Sequence, residues 1–308
     1  MKVLETNTQQ AAKLMCKNLQ VLRTKFPLES SRAVEICALM GALQNEELSA
    51  EEISASRERI RQNAVGAGKI PGAQQLILAT TLSMVPDMAK TLEQTLRLYR
   101  ILREEAFCGR YLLAVSLWLA ASPELAAADW SPQKARSIAD YLVKQHSFPM
   151  QGEEECYAIF LSCCQKGAEQ LCTTMEQHYS FWRKKIYSPL AVLCLSSSIT
   201  SLDAPYLAET EEHISWIARS GEGAAIRFLL AGDSVIEARQ QLKLAVQILK
   251  KERTLRGIFC KKYRDAYAAA LAAKAVWEQK RLTTPQPNVK IAFSIAFMEL
   301  LPLAEAGR

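Results

Sequence analysis

Histidine, glycine, proline and aromatic residues are all scarce in this chain. Of 308 residues, 3 are His, 12 Gly and 11 Pro, and aromatics make up 7%. So little glycine and proline excludes a collagen-like chain or a mucin-like stalk. With three imidazoles, any acid–base reaction that needs one must use His146, His178 or His213. Long apolar runs are missing too. The most apolar stretch, YLLAVSLWLAA at 111–121, stops at Ser122-Pro123. A membrane span needs roughly 18–20 residues. The N-terminal MKVLETNTQQAAKL has no apolar core behind its first lysine, so it does not read as a secretory signal. Period-2 alternation of β-branched residues is nearly absent, which argues against a sheet.

What is present is helix-forming. The chain is 49% apolar, enough for a sizeable core at this length. Apolar residues recur at three and four, as at Leu92, Leu96, Tyr99 and Leu102, or Leu242, Val246 and Leu249. Ser49 with Glu52, and Ser234 with Glu237, make capping boxes. Ser131-Pro132 and Ser188-Pro189 place a serine N-cap before a proline at the first helical position. The pattern predicts helices over 7–24, 29–44, 50–64, 72–84, 87–104, 109–121, 132–145, 153–166, 168–183, 189–200, 206–219, 223–231, 235–252, 257–278 and 288–303. The expected fold is all-α, an array of helical hairpins in one domain over 1–308, with any subdivision near 201–205.

Short apolar helices rich in Ala and Ser recur with starts at 32, 74, 110, 157 and 188, and again at 288. Several follow a longer amphipathic helix. The intervals fall in the range of helical-hairpin repeats. They are irregular, and no residue signature recurs. Two architectures therefore stay open: an irregular α-solenoid, or a bundle of hairpins with small-residue helices at its centre.

The nine cysteines are an odd number and sit inside apolar helical stretches. A secreted disulfide framework would be denser and would lie in loops. They read as small buried hydrophobes in a reducing cytoplasm. Charge is distributed unevenly. The net charge is +6, but from Lys243 onward there are 13 basic and 5 acidic residues, leaving the rest slightly acidic. The densest part is Lys250, Lys251, Arg253, Arg256, Lys261, Lys262 and Arg264. One basic surface there would attract an acidic protein or another anionic partner. The alternative is a solvated helix face matched by acids from elsewhere. Phe259, Tyr263 and Tyr267 have helical spacing and read as a core stripe, not a base-stacking platform. No nucleic-acid motif surrounds them.

Other chemistry-bearing patterns fail on spacing. Gly66-Ala67-Gly68-Lys69 lacks the first glycine, the hydroxyl after lysine and the strand of a P-loop. Cys156, Cys163, Cys164 and Cys172 lack the paired C-x2–4-C spacing of a zinc site. There is no GxSxG elbow and no HExxH. No catalytic residue, metal site or cofactor is assigned.

One segment carries a resemblance. Phe107, Tyr111-Leu112-Leu113-Ala114, the helix end Tyr141-Leu142-Val143-Lys144-Gln145-His146-Ser147-Phe148, Glu153-Glu154 and the stretch 158–161 resemble an uncharacterised bacterial family of helical proteins. The similarity spans 98–200. In that family a helix ending in lysine and histidine precedes a short loop and an acidic residue. Here Pro149-Met150 stand where the family has a small hydroxyl residue. The resemblance implies an all-helical cytosolic protein, supplies no activity, and makes His146 the histidine to test first.

The expected function is a non-enzymatic interaction scaffold or regulatory binding protein with a basic C-terminal face. The rival is a helical small-molecule-binding protein or enzyme, with an internal site near His146 and the helix that carries Tyr111 and Trp118.

Overall fold

The computed structural model describes residues 2–63, 70–126, 130–146, 152–184, 186, 188–201, 235–256, 260–279 and 287–306. Among these there is no strand. The chain runs α1 (Lys2–Lys25), α2 (Ser31–Gln44), α3 (Ala50–Asn63), α4 (Gly72–Ser83), α5 (Met88–Glu104), α6 (Leu112–Ala121) and α7 (Pro123–Ala126). It continues α8 (Pro132–Gln145), α9 (Glu153–Leu161), α10 (Ala168–Trp182), α11 (Pro189–Ser201), α12 (Val235–Leu249), a 3₁₀ turn (Arg253–Leu255), α13 (Lys261–Gln279), α14 (Pro287–Met298) and α15 (Leu300–Ala306). The fold is all-α, as the composition requires.

The helix starts follow capping chemistry. Ser49 Oγ accepts the Glu52 N–H at 3.2 Å, Ser131 Oγ that of Lys134 and Ser188 Oγ that of Ala191, both at 3.3 Å. Each satisfies a donor that has no partner inside its helix. Asp87 does the same for α5. Two helix ends turn through left-handed residues that are not glycine, Asn45 (φ 60°) and Ala106 (φ 61°). At the first, Glu46 N–H reaches Gly41 O at 2.9 Å. At the second, Phe107 N–H reaches Leu102 O at 3.1 Å. Both are the six-to-one bond of a Schellman ending.

Some boundaries differ from the sequence expectation. The 153–166 helix ends at Leu161, and Cys163 and Cys164 sit in the turns after it, with N–H bonds to Phe160 O and Leu161 O. The 257–278 helix starts at Lys261, and the 288–303 helix breaks at Glu299 into α14 and α15. The short α7 was not expected. The expected helices 206–219 and 223–231, the Gly66–Lys69 motif, His213 and Ser234 lie outside the described residues. No helix among the described residues is long and apolar enough to cross a membrane.

The residues group into two compact units. One comprises Met1–Gln20, Gly41–Glu47 and Met175–Ala296; the other Val21–Met40, Leu48–Thr174 and Phe297–Arg308. In the first, α12 packs on α13. The α13 core is a run of fully buried alanines, Ala268 to Ala270, then Ala272, Ala273 and Ala275. Small side chains there let neighbouring helix axes come close. Contact between α11 and α14 takes a polar form. Cys194, Ser198 and Ser201, at i, i+4 and i+7, donate to the carbonyls of Ile295, Ala292 and Asn288 at 3.6, 3.3 and 3.3 Å. The descending order of the acceptors makes the two helices antiparallel. Each buried hydroxyl is thereby satisfied. Lys274, buried in α13, is held by Asn45 Oδ1 at 2.6 Å and by Glu278.

In the second unit, α3 packs on α4, α5 on α6 and α8 on α9. In each pair the first helix is amphipathic and the second is buried on nearly every side. The buried partners touch one another in sequence order, α4 on α6 and α6 on α9, and α15 closes on α4. This explains three of the recurrent small-residue helices: α4, α6 and α9 are each the inner half of a hairpin.

Candidate functional site

The basic cluster read from the sequence falls on the connection between α12 and α13, and the structure divides it into two groups. Arg256 folds back over the end of α12. Its Nε and Nη2 donate to Lys250 O and Lys251 O at 3.2 and 3.0 Å. These are carbonyls at the negative end of the helix, so the guanidinium serves as a C-cap. Arg264 lies buried in the first turns of α13. Its Nη1 donates to Leu255 O at 3.2 Å, and its Nε lies 3.5 Å from Asp265 Oδ1. These two arginines hold the described residues on either side of the connection.

Lys250, Lys251, Arg253 and Lys261 form the second group. All four are exposed, and none makes an ion pair among the described residues. Burial pushes the Asp265 carboxyl above its ordinary range, while Arg264, Lys261 and Lys250 pull it back down. Lys250, at the end of one helix, and Lys261, at the start of the next, therefore flank the same carboxyl. Glu252 is half-buried, and its charge helps raise the Cys16 thiol to about 11, behind the larger effect of burial. It thus lies toward α1. Lys262 belongs to α13, and its side chain lies outside the described residues. Among the described residues of 240–261, every exposed charged side chain is basic.

His146 and Tyr111 occupy the other unit. His146 is buried and ends α8, its N–H bonded to Leu142 O at 2.8 Å. Tyr111 is fully buried at the start of α6. Its hydroxyl donates to Glu305 Oε2 at 3.5 Å, and the Arg110 guanidinium lies 4.6 Å above its ring. Arg110 and Gln74 also bind Glu305, at 3.1 and 2.5 Å. This cluster fastens α15 to α4 and α6. Trp118 packs edge-on against Phe297 at 5.1 Å and lies 6.2 Å from Phe160. His178 is buried on α10.

Comparison with protein families gives one match. Residues 18–205 fit the profile of a family described as a protein of unknown function, DUF4003. The chain belongs to the DUF4003 family. No curated protein and no solved structure matches it. The DUF4003 match takes in His146, Tyr111 and the three hairpins of the second unit. It ends before α12, so the basic turn lies beyond the part the family profile recognises.

Sequence reasoning missed Glu155 and Glu305, each of which ties distant segments together. Glu155 on α9 accepts the N–H groups of Cys108 and Gly109 at 3.1 and 2.6 Å. It secures a close crossing of two glycines. A Cβ on Gly152, whose φ is +94°, would lie 2.7 Å from Gly109 Cα. Glu155 stands in an acidic run at a helix start, where a dipole role is the default reading. Nothing local in the sequence marks it as a partner for residues 46 and 47 positions away.

Proposed function

We propose that this chain is a non-enzymatic binding protein that docks an acidic segment of a partner protein on the α12–α13 turn, in a reducing cytosol. The observation that carries this reading is the division of the basic cluster. Arg256 and Arg264 are engaged with backbone carbonyls. Lys250, Lys251, Arg253 and Lys261 stand exposed around it without ion pairs among the described residues. With Arg256 and Arg264 engaged on either side of the connection, these four exposed cations remain to meet an anionic partner. Nine free thiols, six of them buried, suit a reducing compartment.

The test is the variant K250Q/K251Q/R253Q/K261Q, with Arg256 and Arg264 kept. Binding of a fluorescein-labelled poly-glutamate peptide is followed by anisotropy at low and at physiological salt. If each of the four exposed pairs is worth about 0.2–1 kcal/mol, the variant binds roughly fourfold to several hundredfold more weakly, with an unchanged melting curve. Equal binding by the two proteins would overturn the reading. So would a wild-type affinity that does not fall with salt.

A further inference from the structure

The second unit contains an open groove of about 450 Å³ lined by Arg59, Gln62 and Asn63 from α3 and by Ala89, Leu92, Glu93, Leu96 and Arg100 from α5. Its origin is in the packing. Both helices pack on α4, and the groove is the gap between them. The lining residues keep helical spacing: 59, 62 and 63 form one face of α3, and 89, 92, 93, 96 and 100 one stripe of α5. That stripe runs about 16 Å at 1.5 Å per residue. The volume lies within the roughly 300–1,000 Å³ of small-molecule sites and is too small for a partner helix about 10 Å across.

The chemistry of the lining is specific in kind. Arg59 and Arg100 are exposed and make no ion pair among the described residues. Of the neighbouring arginines, Arg57 pairs with Glu29 at 2.5 Å, Arg61 binds Glu58 and Gln75, and Arg103 binds Phe107 O, while Arg97 is exposed like Arg59 and Arg100 but does not line the groove. Gln62 Nε2 donates to Glu58 and Asn63 Nδ2 to Arg59 O, at 3.0 and 2.8 Å. Each amide is thereby oriented, and its carbonyl oxygen remains an acceptor. Glu93 adds an exposed carboxylate with no ion pair among the described residues. Leu92, Leu96 and Ala89 supply an apolar floor.

We infer that this groove binds a small phosphate monoester whose body carries hydroxyl or N–H donors, a sugar phosphate or a nucleoside monophosphate. Two guanidinium groups match the nearly dianionic phosphate through charge-assisted bonds. A carboxylate and two amide oxygens accept from the body, which a bare anion does not have. Glu93 repels a simple anion, so the floor and the acceptors must contribute. This proposal is independent of the docking turn, which lies in the other unit.

The experiment is isothermal titration of the full chain with three probes: inorganic phosphate, glucose 6-phosphate and adenosine monophosphate. Wild type is compared with R59Q/R100Q, with E93Q and with K250Q/K251Q. The expected result is saturable binding of at least one ester, with inorganic phosphate at least tenfold weaker. R59Q/R100Q should lose that ester by tenfold or more, E93Q should weaken it, and K250Q/K251Q should leave it unchanged. Which ester binds tells the two sources apart. Arg59 and Arg100 are exposed, so the double variant should fold, and circular dichroism checks that it does. The proposal fails if no ester binds at millimolar concentration, or if R59Q/R100Q binds like wild type. It also fails if inorganic phosphate binds as tightly as the esters, or if K250Q/K251Q abolishes binding.

Discussion

Replacing Ala106 with glycine should stabilise the protein, although it deletes a methyl group from a folded chain. Ala106 follows the end of α5 with φ at 61°. Its N–H bonds to Arg103 O, and the next N–H bonds to Leu102 O, both at 3.1 Å. This position must be left-handed for the Schellman ending to close. An L-residue held there costs about 1–2 kcal/mol, because Cβ crowds the following carbonyl. Glycine removes that cost and adds roughly 0.5–1 kcal/mol of unfolded-chain entropy. The balance is a gain centred on about 0.75 kcal/mol. Ala106 is exposed, so no packing is lost, and the Arg136 bond to its carbonyl at 3.4 Å survives in glycine. In urea melts, with a slope of about 1–3 kcal/mol/M, the midpoint should rise by roughly 0.25–0.75 M. Ala106→Val should lower it, since a β-branched residue fits this backbone region worst. The paired signs make the test strict. An A106G midpoint at or below wild type would refute the assignment of a strained C-cap here.

Three further predictions concern a buried carboxylate and the thiols. Glu35 has a side chain only 1% exposed and is clamped by Arg32 at 2.6 Å and Arg23 at 3.3 Å. E35A removes the charge-assisted bonds of two half-buried arginines and should cost about 1.5–3 kcal/mol in chemical denaturation, with E35Q costing less. For the thiols, burial pushes Cys37 up to about 12 and Cys172 to about 11, and burial with the Glu252 charge takes Cys16 to about 11. A thiol raised in the folded state supports folding below its unfolded value near 9, and that support is lost as pH rises through the folded values. Thiolate absorbance near 240 nm should therefore titrate later in the native protein than in urea. At pH 8, Cys108, the exposed cysteine, should react first with a thiol reagent, and C108S should remove that fast phase. Coincident native and denatured titrations would contradict the burial assigned to these groups.

Among the described residues helix identity was legible almost throughout, because it depends on local features: apolar spacing, serine caps and a proline at the first helical position. The errors are local as well. The 153–166 helix stops at Leu161 because 162–166 close into turns, and periodicity does not register a turn built from Ser, Cys and Cys. The pairing of each amphipathic helix with the apolar one after it followed from the alternation of the two helix types. The α11–α14 bonds did not. Ser198 reads as a helix-compatible small residue, and its role depends on the carbonyl of Ala292, 94 positions away.

The site was legible as charge and illegible as function within that charge. In the sequence, Lys250, Arg256 and Arg264 are equivalent cations on one basic stretch. What separates them is distance to a carbonyl oxygen, and that is set when Arg256 folds back over the end of α12 and Arg264 reaches Leu255. A charge count therefore overstates the number of free cations by including those bound to backbone carbonyls. The groove beside α5 fails in the opposite direction. Its stripe at 89, 92, 93, 96 and 100 looks like an ordinary core face with charged edges. Only the placement of α3 alongside turns Arg59 and Arg100 into two walls of one cleft. Neutralising the whole basic stretch would thus confuse loss of the turn with loss of the proposed partner, whereas changing only Lys250, Lys251, Arg253 and Lys261 keeps the two effects apart.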